Sequence, residues 1–122
     1  MEGAAADRAV VLGGGGEVEL VLGSAGSNRI RSAILQVVVN VVDRGLSAGA
    51  AIDAPRLHVE GGVLYAEPGA GLGGLAGDER EIVRFREPNL FFGGVQAVER
   101  DPRSGAISGG GDPRRGGRAV DA

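Results

Sequence analysis

Polar and apolar residues alternate from Glu17 to Val21, and a second apolar run, Ala9 to Leu12, lies just before them across four glycines, Gly13 to Gly16. Two strands joined by a glycine turn are the predicted outcome, because glycine alone adopts the positive φ of a tight hairpin without strain. Small residues follow from Gly23 to Asn28 and read as a loop, with Ser27 or Asn28 placed to cap a helix. The spacing then predicts a helix over 29–43. Ile30, Ala33, Ile34, Val37, Val38 and Val41 form one face, Leu35, Val39 and Val42 cover much of the rest, and Ser32, Gln36, Asn40 and Asp43 leave a narrow polar stripe. A helix apolar nearly all round is normally buried. Arg44 near its end suits the helix dipole, and Gly45 is placed as the residue just past the cap.

Further along, 47–53 forms a possible short helix that must stop before Pro55. Residues 56–60 and 63–67 read as a hairpin around Gly61 and Gly62, and 69–77 as a loop or short irregular helix. Residues 81–85 and 94–100 read as strands, Asp101-Pro102-Arg103-Ser104-Gly105 as a turn, 106–108 as a last strand, and 109–122 as a Gly/Arg-rich tail. The fold class is α+β, within one small domain of 122 residues, with 1–8 and 109–122 as flexible ends.

Composition narrows the picture. Gly contributes 24 residues and aromatics only 3%, so the core is thin for the length and the 29–43 helix needs apolar surface from elsewhere. The net charge of -3 gives no global basic field for nucleic acid. All 13 basic residues are Arg, a coding bias more than a clue to mechanism. With no Cys, disulfides and thiolate metal sites are excluded. The apolar stretch from Ile30 to Val42 is too short and too polar to span a bilayer, and residues 1–8 lack the pattern of a signal peptide. The chain contains no Thr, so a threonine nucleophile cannot come from these residues.

Candidate chemistry concentrates in 23–28, where a strand passes into a helix N-terminus. Free backbone N–H groups there favour negative charge, which is what an oxyanion hole requires, although a plain strand–helix connection has the same composition. Gly69, Gly71 and Gly74 fit a dinucleotide glycine pattern, but Pro68 interrupts the strand before it and no long apolar helix follows. His58, the single histidine, reads as structural; a serine triad through it is the alternative. No metal-ligand spacing occurs, and neither metal nor cofactor is expected. Arg114, Arg115 and Arg118 beside Asp112 read as a solvated tail or a local Asp–Arg pair, with contact to a phosphate or an acidic partner as the functional alternative.

Several of these segments together resemble one family. Gly23-Ser24-Ala25-Gly26-Ser27-Asn28-Arg29-Ile30 resembles the G-S-P-G-G-S-R-I region of γ-glutamyltransferases, and the likeness continues through Ala33 to Asn40. Ala54-Pro55-Arg56-Leu57-His58 resembles the family's A-P-R-x-H segment. Gly94 to Val98 and Asp112-Pro113-Arg114 resemble its last strand and closing D-P-R motif, so the likeness runs from about Val10 to Val120.

The resemblance implies a fragment of an N-terminal nucleophile hydrolase, an αββα sandwich with antiparallel sheets. In that family a precursor cleaves itself, and the new N-terminal Thr of the small subunit attacks a γ-glutamyl amide. An acyl-enzyme then passes its acyl group to water, an amino acid or a peptide. By this resemblance the 122 residues are the C-terminal part of the small subunit. Gly26 and Ser27 supply the two backbone oxyanion donors, with Ser27 where the family usually has Gly and Ala25 where it usually has Pro. The Thr, a substrate-holding serine pair and the residues binding the α-carboxylate and α-amino groups fall ahead of the loop. The implied partners are the remainder of the small subunit and the large subunit. Inactivity alone is the expectation, against a truncated reading frame without function or a small binding module using the Arg tail.

Overall fold

The computed structural model describes residues 6–25, 29–72 and 80–120. Its first unit is the predicted hairpin, β1 (Ala6–Leu12) and β2 (Val18–Ala25), paired antiparallel. Gly13 N–H donates to the Glu17 carbonyl at 2.8 Å, and Gly16, at φ +88°, reverses the chain. β2 runs three residues further than the pattern predicted, through Gly23, Ser24 and Ala25. Their small side chains suggested a loop, but β6 (Gly94–Arg100) pairs with all three, Gly23 opposite Gln96, Ser24 opposite Val95 and Ala25 opposite Gly94. Partner backbone on both sides outweighs low strand propensity here.

The predicted helix is α1 (Ile30–Val42), with Arg29 at the N-cap position and no side-chain cap. The residues expected to cap it, Ser27 and Asn28, lie outside the described residues. Gly45, at φ +70°, turns the chain after α1, and Leu46 N–H returns to the Asn40 carbonyl. α2 (Ala48–Asp53) is capped by Ser47, whose Oγ accepts from Ala50 N–H at 3.2 Å, and it ends before Pro55 as predicted. Both helices lie on one face of an antiparallel sheet of order β1-β2-β6-β7, with β7 spanning Ile107–Gly110. Leu20, Leu22, Ala33, Val37, Ala51, Ile52, Val95 and Ala97 fill the space between.

α1 is not buried all round. Val37 is 0% exposed, whereas Leu35 is 63% exposed and Val42 56%. The described residues supply one apolar surface for this helix and not two, in keeping with the high glycine and low aromatic content.

A second sheet, order β3-β4-β5, comprises β3 (Leu57–Glu60), β4 (Val63–Ala66) and β5 (Glu81–Arg84). Gly61 and Gly62, at φ +59° and +78°, form the two-residue turn of the β3–β4 hairpin. β5 pairs parallel to β4, which no local pattern signalled. Tyr65, Phe85, Phe91 and Phe92, the chain's one Tyr and three Phe, form a single cluster with centroid separations of 4.8 Å (Tyr65–Phe91), 4.9 Å (Phe85–Phe92) and 5.0 Å (Phe91–Phe92). It joins this sheet to the 3-10 turn Leu90–Phe92. Among the described residues no helix is long and apolar enough to cross a membrane.

Leu22→Ala and Leu35→Ala make the same chemical change at opposite exposures. We expect the first to cost about 2–5 kcal/mol and the second less than about 0.5 kcal/mol, read from urea unfolding midpoints.

Candidate functional site

Two of the motifs singled out in the sequence meet in space. Asp112 caps the 3-10 turn Pro113–Arg115, accepting from Arg114 N–H at 3.0 Å. Its other oxygen takes Arg56 Nη2 at 2.7 Å and Val95 N–H at 2.8 Å. Arg114 bonds Asp112 Oδ1 through Nη1 at 3.0 Å and grips both oxygens of Glu67 through Nε and Nη2. Glu67 Oε1 also accepts from Arg56 N–H at 2.9 Å. The other terminal guanidinium hydrogens go to backbone carbonyls. Arg56 bonds those of Ile52, Phe92 and Gly93, and Arg114 those of Ile52 and Ala54. Arg56 Nε is the one buried side-chain polar atom without a partner among the described residues.

The local Asp–Arg pair is therefore present, and the solvated-tail reading fails for Arg114, whose side chain is only 2% exposed. Arg115 and Arg118 do remain at the surface. Two guanidinium groups against two carboxylates leave the buried cluster neutral. Burial pushes the Arg56 guanidinium's pKa down, more than Asp112 and Glu67 restore. Burial also pushes the Asp112 carboxyl up, but the Arg56 charge, the Val95 and Arg114 N–H groups and the Arg114 charge outweigh it, holding Asp112 below the usual carboxylate range.

This cluster fixes the backbone beside the predicted oxyanion loop. Arg56 and Asp112 hold 92–95 from one side, and Ser24 Oγ, fully buried, donates to the Gly94 carbonyl at 2.7 Å from the other. Gly93 takes φ +79°, and a Cβ there would lie 3.2 Å from the Ala33 methyl. Downstream of the loop, Arg29 Nε donates to the Phe91 carbonyl at 2.9 Å, with its guanidinium 4.2 Å above the Phe91 ring centroid. Both flanks of the loop are thus tied to 91–94. Gly26 and Ser27, the predicted site residues, lie outside the described residues, as does Gly74 of the glycine pattern.

His58 has partners on both ring nitrogens. Ser32 Oγ lies 2.7 Å from Nδ1, and Glu60 Oε1 lies 3.0 Å from Nε2. Gln36, one turn beyond Ser32, clamps Leu57 by donating Nε2 to its carbonyl at 2.6 Å and accepting its N–H at 2.8 Å. Sequence reasoning raised a triad through His58 but did not find Ser32, which sits 26 positions away on another element. Among the described residues no group of three or more His, Cys, Asp or Glu could hold a metal ion.

Because Asp112 has a lowered pKa when folded, its contribution to stability is complete above the unfolded carboxylate value, about 3.9, and is lost as pH falls through the folded value. Asp112→Asn should cost about 3–5 kcal/mol at neutral pH by leaving positive charge buried and unpaired. Its unfolding midpoint should also fall less steeply on acidification than that of the unmodified protein.

The family model described as gamma-glutamyltranspeptidase matches residues 8–122. The acylase ACY 1 proenzyme of Pseudomonas sp. (strain SE83) is 35% identical over 97 residues, which is 77% of this chain and 17% of that protein. The glutathione hydrolase proenzyme of Pseudomonas aeruginosa is 31% identical over 110 residues, 86% of this chain and 19% of that protein. The chain thus spans less than a fifth of the length of these curated relatives. Among solved structures, the Helicobacter pylori γ-glutamyltranspeptidase T380A mutant superposes with TM-score 0.75 at 29% identity, over 91% of this chain and 61% of that one. The Bacillus anthracis transpeptidase CapD superposes with TM-score 0.77 at 25% identity, over 98% and 71%. Fold, motifs and family match agree: the chain belongs to the γ-glutamyltranspeptidase family and carries part of the αββα fold of the N-terminal nucleophile hydrolases.

Proposed function

We propose that these 122 residues are the C-terminal part of the small subunit of a γ-glutamyl-transferring enzyme, contributing oxyanion donors to a pocket whose nucleophile lies outside them. The observation that carries this reading is the tethered junction between β2 and α1. Ala25 ends a strand paired to Gly94, and Ile30 begins a helix whose N-cap residue, Arg29, makes no side-chain cap, so the four residues 26–29 bridge a strand end and a helix N-terminus. Backbone N–H groups in such a bridge stabilise negative charge developing on a carbonyl oxygen. In the proposed reaction a threonine hydroxyl from outside this segment adds to the γ-glutamyl amide carbonyl. The resulting oxyanion rests on the N–H groups of Gly26 and Ser27. Collapse expels the amine, and the acyl group passes to water, an amino acid or a peptide.

The absence of Thr from the sequence supports inactivity of this segment by itself. Partnership with the rest of the small subunit and with a large subunit is supported by the sheet face turned away from the helices. There Val10, Val21 and Val98 stand opposite one another in register and are 53%, 44% and 51% exposed. A sandwich would cover that face with its second sheet. The alternative of a binding module built on the Arg tail loses support, since Arg114 is committed to Glu67 and Asp112.

The test is turnover of a chromogenic γ-glutamyl anilide, by the 122-residue chain alone and by the chain assembled with a Thr-bearing small-subunit segment and a large subunit. We expect none from the first and measurable turnover from the second. In the assembled enzyme Ser27→Pro, which deletes an N–H, should lower kcat by about 10²–10³, while Ser27→Ala should change it little. Turnover by the chain alone that is abolished by changes at Gly26 or Ser27 would refute the reading.

A further inference from the structure

We propose that Ser32, His58 and Glu60 form a second acyl-accepting site, independent of the 26–28 loop, that reacts with small activated esters carrying a short apolar acyl group. A carboxylate can only accept a hydrogen bond, so the 3.0 Å contact between Glu60 Oε1 and His58 Nε2 places the ring proton on Nε2 when the imidazole is neutral. Nδ1 then carries the lone pair, and Ser32 Oγ, 2.7 Å away, donates its proton to it. That is the division of roles in a serine–histidine–carboxylate relay, with the two ring nitrogens exchanged relative to the usual arrangement. Such relays are defined by geometry and role more than by position in the chain.

The arrangement is built and not incidental. Gln36 fixes Leu57 through both backbone groups, which sets the register of β3 against α1 and delivers the next residue, His58, to Ser32. Tyr65 stacks beside the imidazole at 6.4 Å, and Phe91 meets it edge-on at 6.3 Å. His58 is 8% exposed, so the imidazole itself is shielded from bulk water. Ser32 and His58 open onto a cleft of about 370 Å³ whose walls are Leu35, Leu57, Val59 and Leu64, room for a short aliphatic acyl chain. Arg80 lines the same cleft.

The step balances without a further reactant. Ser32 Oγ bonds to the ester carbonyl carbon as its proton passes to His58 Nδ1. The tetrahedral adduct then breaks the bond to the leaving alkoxide, which takes the proton from His58. Acyl-Ser32 and an alcohol result, and water can release the acyl group by the reverse proton path. Glu60 touches no reacting atom and acts as a positioning residue. Its replacement by Gln removes the negative charge that stabilises the imidazolium formed as Ser32 gives up its proton, whichever end of the amide faces Nε2.

The experiment incubates the full chain with p-nitrophenyl acetate, follows nitrophenolate release, and locates the acetyl group by peptide mass spectrometry. We expect one acetyl group on the peptide containing Ser32, its loss in Ser32→Ala, and a rate at least about a hundredfold lower in His58→Gln. Glu60 is 47% exposed at its side chain, so Glu60→Gln should keep the unfolding midpoint while slowing acylation of the same serine by about tenfold or more. This covers the case in which His58→Gln fails to fold. Acetylation elsewhere, a wild-type rate in Ser32→Ala, or Glu60→Gln reacting as fast as the unmodified chain would overturn the proposal. None of these outcomes bears on γ-glutamyl turnover by the assembled enzyme.

Discussion

Arg56 ties together four separate stretches of this structure. Its two terminal nitrogens reach the end of α2 at Ile52, the backbone at 92 and 93, and Asp112 in the closing segment, while its own N–H meets Glu67 at the end of β4. Burying a guanidinium is costly unless nearly every hydrogen is placed. Here Arg114 and two carboxylates make the cluster neutral, and backbone carbonyls absorb most of the remaining donors. The same bonds dictate where 92–95 must lie, and through Ser24 and Gly94 they fix where β2 ends. A chain with few aromatic side chains thus uses buried polar geometry to set positions that a larger hydrophobic core would otherwise define.

Glycine complements that cluster by permitting close approach. A Cβ on Gly110 would stand 3.0 Å from Gly49 Cα, so α2 rests almost directly on β7. Ala48 and Ala51 continue that small-residue contact, and Ile52, fully buried, supplies the bulk. The high glycine content therefore has a packing role as well as a turn role. It brings a helix near enough to the sheet for Arg56 and Arg114 to reach the Ile52 carbonyl at its end.

What the sequence disclosed follows the range of the interaction. Both glycine hairpins were legible because positive φ is a demand made by neighbours in the chain. α1 was legible from its period, and α2 from Ser47 and Pro55. The motifs around Arg56 and Asp112 were visible separately, but their meeting spans 56 positions and leaves no local mark. The same holds for Ser32 and His58 and for the parallel pairing of β5. Gly23 to Ala25 misled for a related reason. Their composition says loop, and the paired strand comes from β6, seventy positions on for Ser24 and Gly94. Gly26 and Ser27 were reached only through family resemblance, since small residues before a helix describe many ordinary connections.

The run Leu20-Val21-Leu22 in β2 is apolar at three successive positions. A strand with one wet face alternates, and this one begins to alternate at Glu17 and then stops. Leu20 and Leu22 are buried under α1, while Val21 points the other way and is 44% exposed. Val10 and Val98 flank it in register, and Ile107, two residues before Gly109, which pairs with Val98, continues the apolar stripe toward the edge. Consecutive apolar residues in a central strand are the pattern of a sheet covered on both sides, and the helices here cover one. Val10, Val21 and Val98 therefore ask for apolar surface that the helices, seated on the opposite face, do not supply, and a further sheet packed about 10 Å away would supply it.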